Sequence, residues 1–164
     1  MNPAHSRHQL QHMGTALASA GLIRLISEID DHGAIPSRAL ARTLPDLSTA
    51  QIRQAVEQAD ALSLLDRSHT GLGLTEAGRD LADLYDHAAR WARHHNYPHA
   101  VSTFAERIRR VFALLADPIT TRPGQQDGGV DAGLHHIQRL LTEWADTHHQ
   151  PQPQPQQSAY GIAA

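Results

Sequence analysis

The side chains of this chain best suited to chemistry lie on one face of a single predicted helix. From Ser48 to Asp60 the polar positions are Thr49, Gln51, Arg53, Gln54, Glu57 and Gln58, while Ile52, Val56 and Ala59 recur at helical spacing and turn inward. Gln51 and Gln54 carry the donor and acceptor pair that fits adenine N6 and N7, and Arg53 the fork that fits guanine O6 and N7, so these residues and Thr49 are candidates for reading bases. Ser48 sits where the helix starts, a place that suits a phosphate oxygen. Arg38, Arg42 and Arg53 outweigh Asp46 between Ser37 and Ala55, which gives a local positive face. With Ser48, the residues Arg38, Arg42, Arg67, His69 and Thr70 are candidates for gripping a nucleic-acid backbone.

Other chemistry finds less support. There are 13 histidines, among them His94, His95 and His99 and the doublets His135-His136 and His148-His149. Adjacent histidines on a helix point in divergent directions, and no pair at i, i+4 spacing is joined by a well-placed carboxylate, so no metal is expected. The chain has neither a glycine-rich phosphate loop nor a nucleophile elbow, and its carboxylates are scattered, so neither an enzyme nor a cofactor is expected. Absence of Cys removes disulfides, thiol sensing and thiolate metal sites.

These residues need a scaffold, and 164 residues suffice for one domain with a real core. The formal charge is -3 with histidines neutral, so attraction to nucleic acid must come from a local patch or from a doubled copy. No apolar run approaches a membrane span and the start has no leader-like core, so a cytoplasmic protein without membrane contact is expected. Residues 1–14 read as a flexible arm. A first core helix carries Leu22, Ile26 and Ile29 and stops at Gly33. Ile35 suits a brief strand, and Arg38 to Thr43 a second helix, with Leu40 and Leu44 inward. Pro45-Asp46 makes a turn, and Ser48-Thr49-Ala50-Gln51 has the form of a capping box. A hairpin follows, with its turn at Ser68 to Gly71. Thr75 then caps a long helix striped by Leu81, Leu84, Ala88 and Trp91, which closes a domain over residues 15–96.

A further helix is expected from about His99 to Ala116, within a segment 97–116. Val101, Phe104, Ile108, Val111, Phe112 and Leu115 point inward there, and Arg107, Arg109 and Arg110 outward. A linker over 117–131, a last helix within 132–148 and a disordered tail over 149–164 complete the order. The fold class is mainly α with a small β-hairpin.

The order of turn, capped helix, hairpin and helix is that of a winged helix-turn-helix. LPDLSTAQIRQAVEQADALSLLDR followed by GLTEAGRDLADLYDHAARWA resembles the HxlR-type regulators and, more distantly, the MarR type, over about Leu22 to Trp91. The resemblance implies a dimeric bacterial transcription regulator at the nucleoid, with double-stranded DNA and a second copy as partners and residues 48–60 in the major groove of a pseudo-palindromic operator. A small-molecule effector, unidentified, is compatible with it. The usual family cysteine is absent, and the wing, Arg67 to Gly73, is short and weakly basic. The apolar stripes beyond residue 75 exceed the needs of one small domain. They assign Leu84, Trp91, Val101, Phe104, Ile108, Phe112 and Leu115 to a dimer seam formed by C-terminal dimerisation helices; alternatively, the helix from Ala132 to Thr147 folds back and covers the stripe in a monomer. The alternative is a winged-helix protein-interaction module that never meets DNA.

Overall fold

The computed structural model describes residues 3–116 and 130–149. Seven α-helices and one hairpin follow in order: α1 (Pro3–Leu17), α2 (Ala20–His32), a 3-10 turn (Ser37–Ala39) running into α3 (Leu40–Thr43), α4 (Thr49–Ala61), β1 (Leu65–Ser68), β2 (Gly71–Leu74), α5 (Glu76–His94), α6 (Phe104–Ala116) and α7 (Val130–His148). The described chain is therefore mainly α with a two-stranded antiparallel hairpin. None of its helices is long and apolar enough to cross a membrane.

Local sequence sets the boundaries. Ser19 Oγ accepts the Leu22 N–H at 3.2 Å and starts α2, and Gly33, at φ 80°, stops it by donating to Ile29 O at 2.8 Å. The inner face of α2 buries Leu22, Ile23, Leu25, Ile26 and Ile29, each worth about 1.5–3 kcal/mol of transfer free energy. Ile35 forms an isolated antiparallel bridge with Leu72, which adds a one-residue third strand beside the hairpin. Gly71, at φ 133°, is required there, because a Cβ would collide with the Ile35 carbonyl. The hairpin register pairs Leu65 with Leu74 and Ser68 with Gly71. β1 begins only at Leu65, because Ser63 turns the chain in the left-handed region at φ 56° and Leu64 drops into the core.

The middle of the core is α5, which packs against α2, α6 and α7. Its Tyr85 is fully buried and donates from its hydroxyl to Leu17 O at 2.6 Å, which fixes the end of α1. Burial pushes the Tyr85 phenol far above its ordinary pKa.

Four expectations need correction. The described part of the expected arm over 1–14 is helical; Pro3 to Leu17 form α1, which docks on α6 and α7, and residues 1 and 2 lie outside the described residues. The first half of that helix has no strong apolar period, so its order comes from tertiary contacts such as Gln11 Nε2 donating to Ala116 O at 2.8 Å. Secondly, α6 begins at Phe104 rather than His99, with Thr103 Oγ1 accepting the Glu106 N–H at 3.2 Å. Val101 accordingly lies in the loop and is 94% exposed.

Thirdly, Arg107 does not point outward. It is 7% exposed and donates to Ser102 O at 3.1 Å and to Ala100 O at 2.8 Å, so it staples the loop that precedes its own helix. Fourthly, the assigned dimer seam is mostly interior. Leu84, Ile108 and Phe112 are 3%, 0% and 1% exposed within one chain, and Trp91, Phe104 and Leu115 are half-buried. The cover comes from α1 and from α7, whose Leu134, Ile137, Leu141 and Trp144 form the expected inward face. The linker lies outside the described residues up to 129, as does the tail from 150 onward.

Candidate functional site

The helix singled out from sequence is α4. Ser48 Oγ accepts the Gln51 N–H at 3.2 Å while Gln51 Oε1 accepts the Ser48 N–H at 2.8 Å, a complete capping box. Ile52, Ala55 and Ala59 are buried against α2, where Gly21 brings its backbone so near that a Cβ would touch the Ala55 methyl at 3.4 Å. The helix is thus held at its start and along its inner side.

Its outward side carries Thr49, Arg53, Gln54 and Glu57, all exposed and without a side-chain partner among the described residues. Two of the predicted site residues there have structural employment. Gln51 spends its amide oxygen on the cap, so a two-point grip on adenine would cost the capping bond. Ser48 uses its oxygen as an acceptor and keeps its own proton to donate. Arg38, in the 3-10 turn, and Arg42, one helical turn later in α3, are exposed and unpaired among the described residues.

The acids near this face are treated unequally. Asp46 receives both Arg24 Nε at 2.9 Å and Arg24 NH2 at 3.1 Å, a two-point fork. That hydrogen bonding holds the Asp46 carboxyl below its ordinary pKa and raises that of Arg24. At the far end of α4, Asp60 pairs with Arg67 of β1. Glu57 and Asp66 remain exposed with no cation on them among the described residues.

The hairpin turn is self-contained. Ser68 Oγ and Thr70 Oγ1 lie 2.6 Å apart, and the Thr70 N–H donates to Ser68 Oγ at 3.3 Å. With Arg67 held by Asp60, His69 is the one ring at the tip exposed without a partner among the described residues. The structure therefore leaves Thr49, Arg53 and Gln54 on α4, and Arg38 and Arg42 in the short helical segment before it, exposed and unpaired among the described residues, and places Gln51, Arg67 and Thr70 in internal bonds.

Sequence reasoning missed Gln58, Arg24 and Asp60. Gln58, expected outside, is half-buried; it accepts from Ser19 Oγ at 2.8 Å and donates to Ala16 O at 2.5 Å. Ser19 as a helix cap was a readable signal, but nothing local marks an amide 39 residues away as its partner. The pairing of Arg24 with Asp46 spans 22 residues and has no sequence signature.

The histidines disperse. His95 Nδ1 lies 2.8 Å from Trp91 O and its ring stacks on Trp91 at 4.5 Å, while His94 and His99 are exposed. His148 Nε2 meets Asp80 Oδ2 at 2.8 Å on the rim of a groove of about 340 Å³ between α5 and α7, beside Asp83, His87 and Glu143. Among the described residues no three potential ligands are arranged to hold a metal. Burial, and then the neighbouring His148, push the His149 imidazole below its ordinary pKa. No protein-family model, curated protein or solved structure matches this chain.

Proposed function

We propose that the chain is a winged helix-turn-helix DNA-binding protein that regulates transcription, with α4 entering the major groove. One observation carries this reading: a helix fixed at its cap and inner side presents Thr49, Arg53 and Gln54 unpaired to solvent among the described residues, with Arg38 and Arg42 likewise unpaired in the short helical segment that precedes it. The short helix before α4, the hairpin after it and the Ile35–Leu72 bridge support the same reading. Arg53 and Gln54 read base edges, Thr49 and Ser48 sit where the helix meets a phosphate, and Arg38 and Arg42 position the backbone. Since Leu84, Ile108 and Phe112 lie inside the chain, one chain brings one α4 to one half-site. Sedimentation of the complex counts the chains on each duplex.

The test is a titration of the full chain against duplex DNA from its own upstream region and against scrambled duplex, at two salt concentrations. Preference for one duplex with a salt slope of about two from Arg38 and Arg42 is expected. Arg53→Ala or Gln54→Ala should weaken specific binding by about tenfold or more, since a two-point base contact is worth about 1–3 kcal/mol. Equal weak binding to both duplexes, indifferent to these substitutions, would overturn the reading. A second reading, a protein-interaction module, is favoured by one specific observation: the hairpin offers a duplex no free arginine, because Asp60 holds Arg67, and it leaves Asp66 exposed and unpaired among the described residues. It predicts the flat titration.

A further inference from the structure

Three acidic side chains belong to α4 and the turn before it, and they are not treated alike. Arg24 takes Asp46 and Arg67 takes Asp60. Glu57 is exposed with no cation on it among the described residues, although Arg53 stands four residues before it at the spacing of a helical ion pair. Its place on the helix adds to this. At about 100° per residue, Glu57 lies roughly 140–160° round the axis from the buried Ile52, Ala55 and Ala59, farther round on average than Thr49, Arg53 or Gln54. Ala50 and Ala61 share that outermost line and are exposed. The one long side chain on the line farthest from the core is therefore a carboxylate.

We infer that Glu57 reads a cytosine and is a specificity residue of the α4 face, an assignment that rests on the DNA reading above. A helix lying in the major groove meets phosphates with its flanks and base edges with the line farthest from its own core. Those edges offer two amino groups as hydrogen-bond donors, cytosine N4 and adenine N6. Adenine N6 lies between two acceptors, its own N7 and O4 of the paired thymine, and both repel a carboxylate. Cytosine N4 has an acceptor on one side alone, guanine O6, so cytosine is the base that fits. The same position rejects a thymine, whose O4 would face the carboxylate as an acceptor. From Arg53 to Glu57 is about 6 Å along the helix, or about two base steps. The guanine taken by Arg53 and the cytosine taken by Glu57 thus lie within about two base pairs of each other. Because Glu57 does not pair with Arg53, the guanidinium fork stays open for that guanine.

The full chain is used to select from a library of randomised duplexes, and the enriched sequence is then varied one base pair at a time in titrations at fixed salt. At one position the wild type is expected to prefer cytosine over thymine by at least about fivefold. Glu57→Gln should lose that preference and shift it toward adenine, whose N6 and N7 a glutamine amide matches, while the guanine preference set by Arg53 stays. Glu57 is exposed and makes no bond among the described residues, so the substitution leaves the fold intact. A Glu57→Gln chain that binds every duplex more tightly by one common factor, with its base preferences unchanged, overturns the assignment alone and leaves Glu57 a charge that repels phosphate. A wild type that enriches no sequence overturns the DNA reading itself, and the assignment with it.

Discussion

The same substitution at two buried helical glycines should change stability in opposite directions. In a helix interior, Gly→Ala gains about 0.8–1.0 kcal/mol of propensity, so any other sign must come from packing. Gly78 lies in the first turn of α5, where its N–H donates to Thr75 Oγ1 at 3.2 Å. A Cβ on Gly78 would strike the Leu64 carbonyl oxygen and also approach the Leu74 side chain at 3.2 Å. Leu64 O already accepts the Thr75 N–H at 3.0 Å, so the backbone on which the methyl lands is held and cannot simply yield. Overpacking of this kind costs about 1–3 kcal/mol, or more where backbone must move, which outweighs the propensity gain. Gly14, in α1, is also buried, yet a Cβ there finds nothing nearer than Leu141 Cδ2 at 4.0 Å. Gly14→Ala should therefore raise the free energy of unfolding by roughly 0.5–1 kcal/mol, and Gly78→Ala should lower it by at least about 1 kcal/mol. Urea unfolding followed by far-ultraviolet circular dichroism measures both, with unchanged slope as the sign that the same transition is compared. A rise in both variants would refute the close approach of α5 to Leu64 and with it the placement of the hairpin base, and a fall in both would refute the open space around Gly14.

Four further predictions follow from named residues. Trp144 is 4% exposed and its indole Nε1 donates to Ala77 O at 2.9 Å, so Trp144→Ala should cost about 3–5 kcal/mol; a loss below about 1 kcal/mol by urea unfolding would mean that α7 does not close the core. Asp60→Asn releases Arg67, and specific DNA should then bind more tightly with a salt slope steeper by about one; an unchanged slope would show that the hairpin stands clear of the duplex. Burial, then Asp83, Asp86 and Asp31, raise the Asp30 pKa above its ordinary 3.8, so the wild type loses stability as pH rises through that raised value. Asp30→Asn should hence stabilise at neutral pH and give no gain below pH 3.8, as thermal melts at several pH values would show. His149 works in the other direction: its lowered pKa means that stability present above its ordinary 6.5 is lost as pH falls below it, and a melt series of His149→Gln should flatten that limb.

What could be read in the sequence was what depends on near neighbours. The capping box at Ser48 is four consecutive residues and is present as read. Thr75 and Gly33 end their helices for equally local reasons, and Leu134, Ile137, Leu141 and Trp144 needed only helical spacing to be placed on one face. The L-T-E-A-G-R stretch, which carried much of the resemblance, has a packing explanation of its own: Thr75 caps, Gly78 permits close approach, and Arg79 NH1 donates to Leu74 O at 3.0 Å. What could not be read was the partner of an apolar stripe. Ile108 and Phe112 announce burial equally well whether the cover is a second copy or the chain's own α1 and α7. The same blindness concealed Arg107, whose carbonyl partners belong to a loop that the pattern reads as helix. At the site itself, spacing identified the exposed face of α4 but not which polar groups on it were already bonded. Gln51, Gln58 and Arg67 look as free in the sequence as Arg53 and Gln54.

That distinction bears on how α4 could work. A side chain that must leave an internal bond before meeting a ligand gives up part of what it gains, whereas Arg53 and Gln54 start unbonded on a helix whose setting is already fixed. The fixing is unusually distributed: the cap at Ser48 holds the first turn, Gly21 admits α2 to the middle, and Gln58 ties the last turns to Ala16 and Ser19. Two arginines, Arg24 and Arg67, are absorbed in neutralising the acids at the two ends of this helix. Without them Asp46 and Asp60 would flank Arg53 with two uncompensated negative charges, and Glu57 would make a third. The acidic balance of the whole chain is therefore a poor guide to this face, because the charge that matters is what remains after internal pairing: Arg38, Arg42 and Arg53 against Glu57.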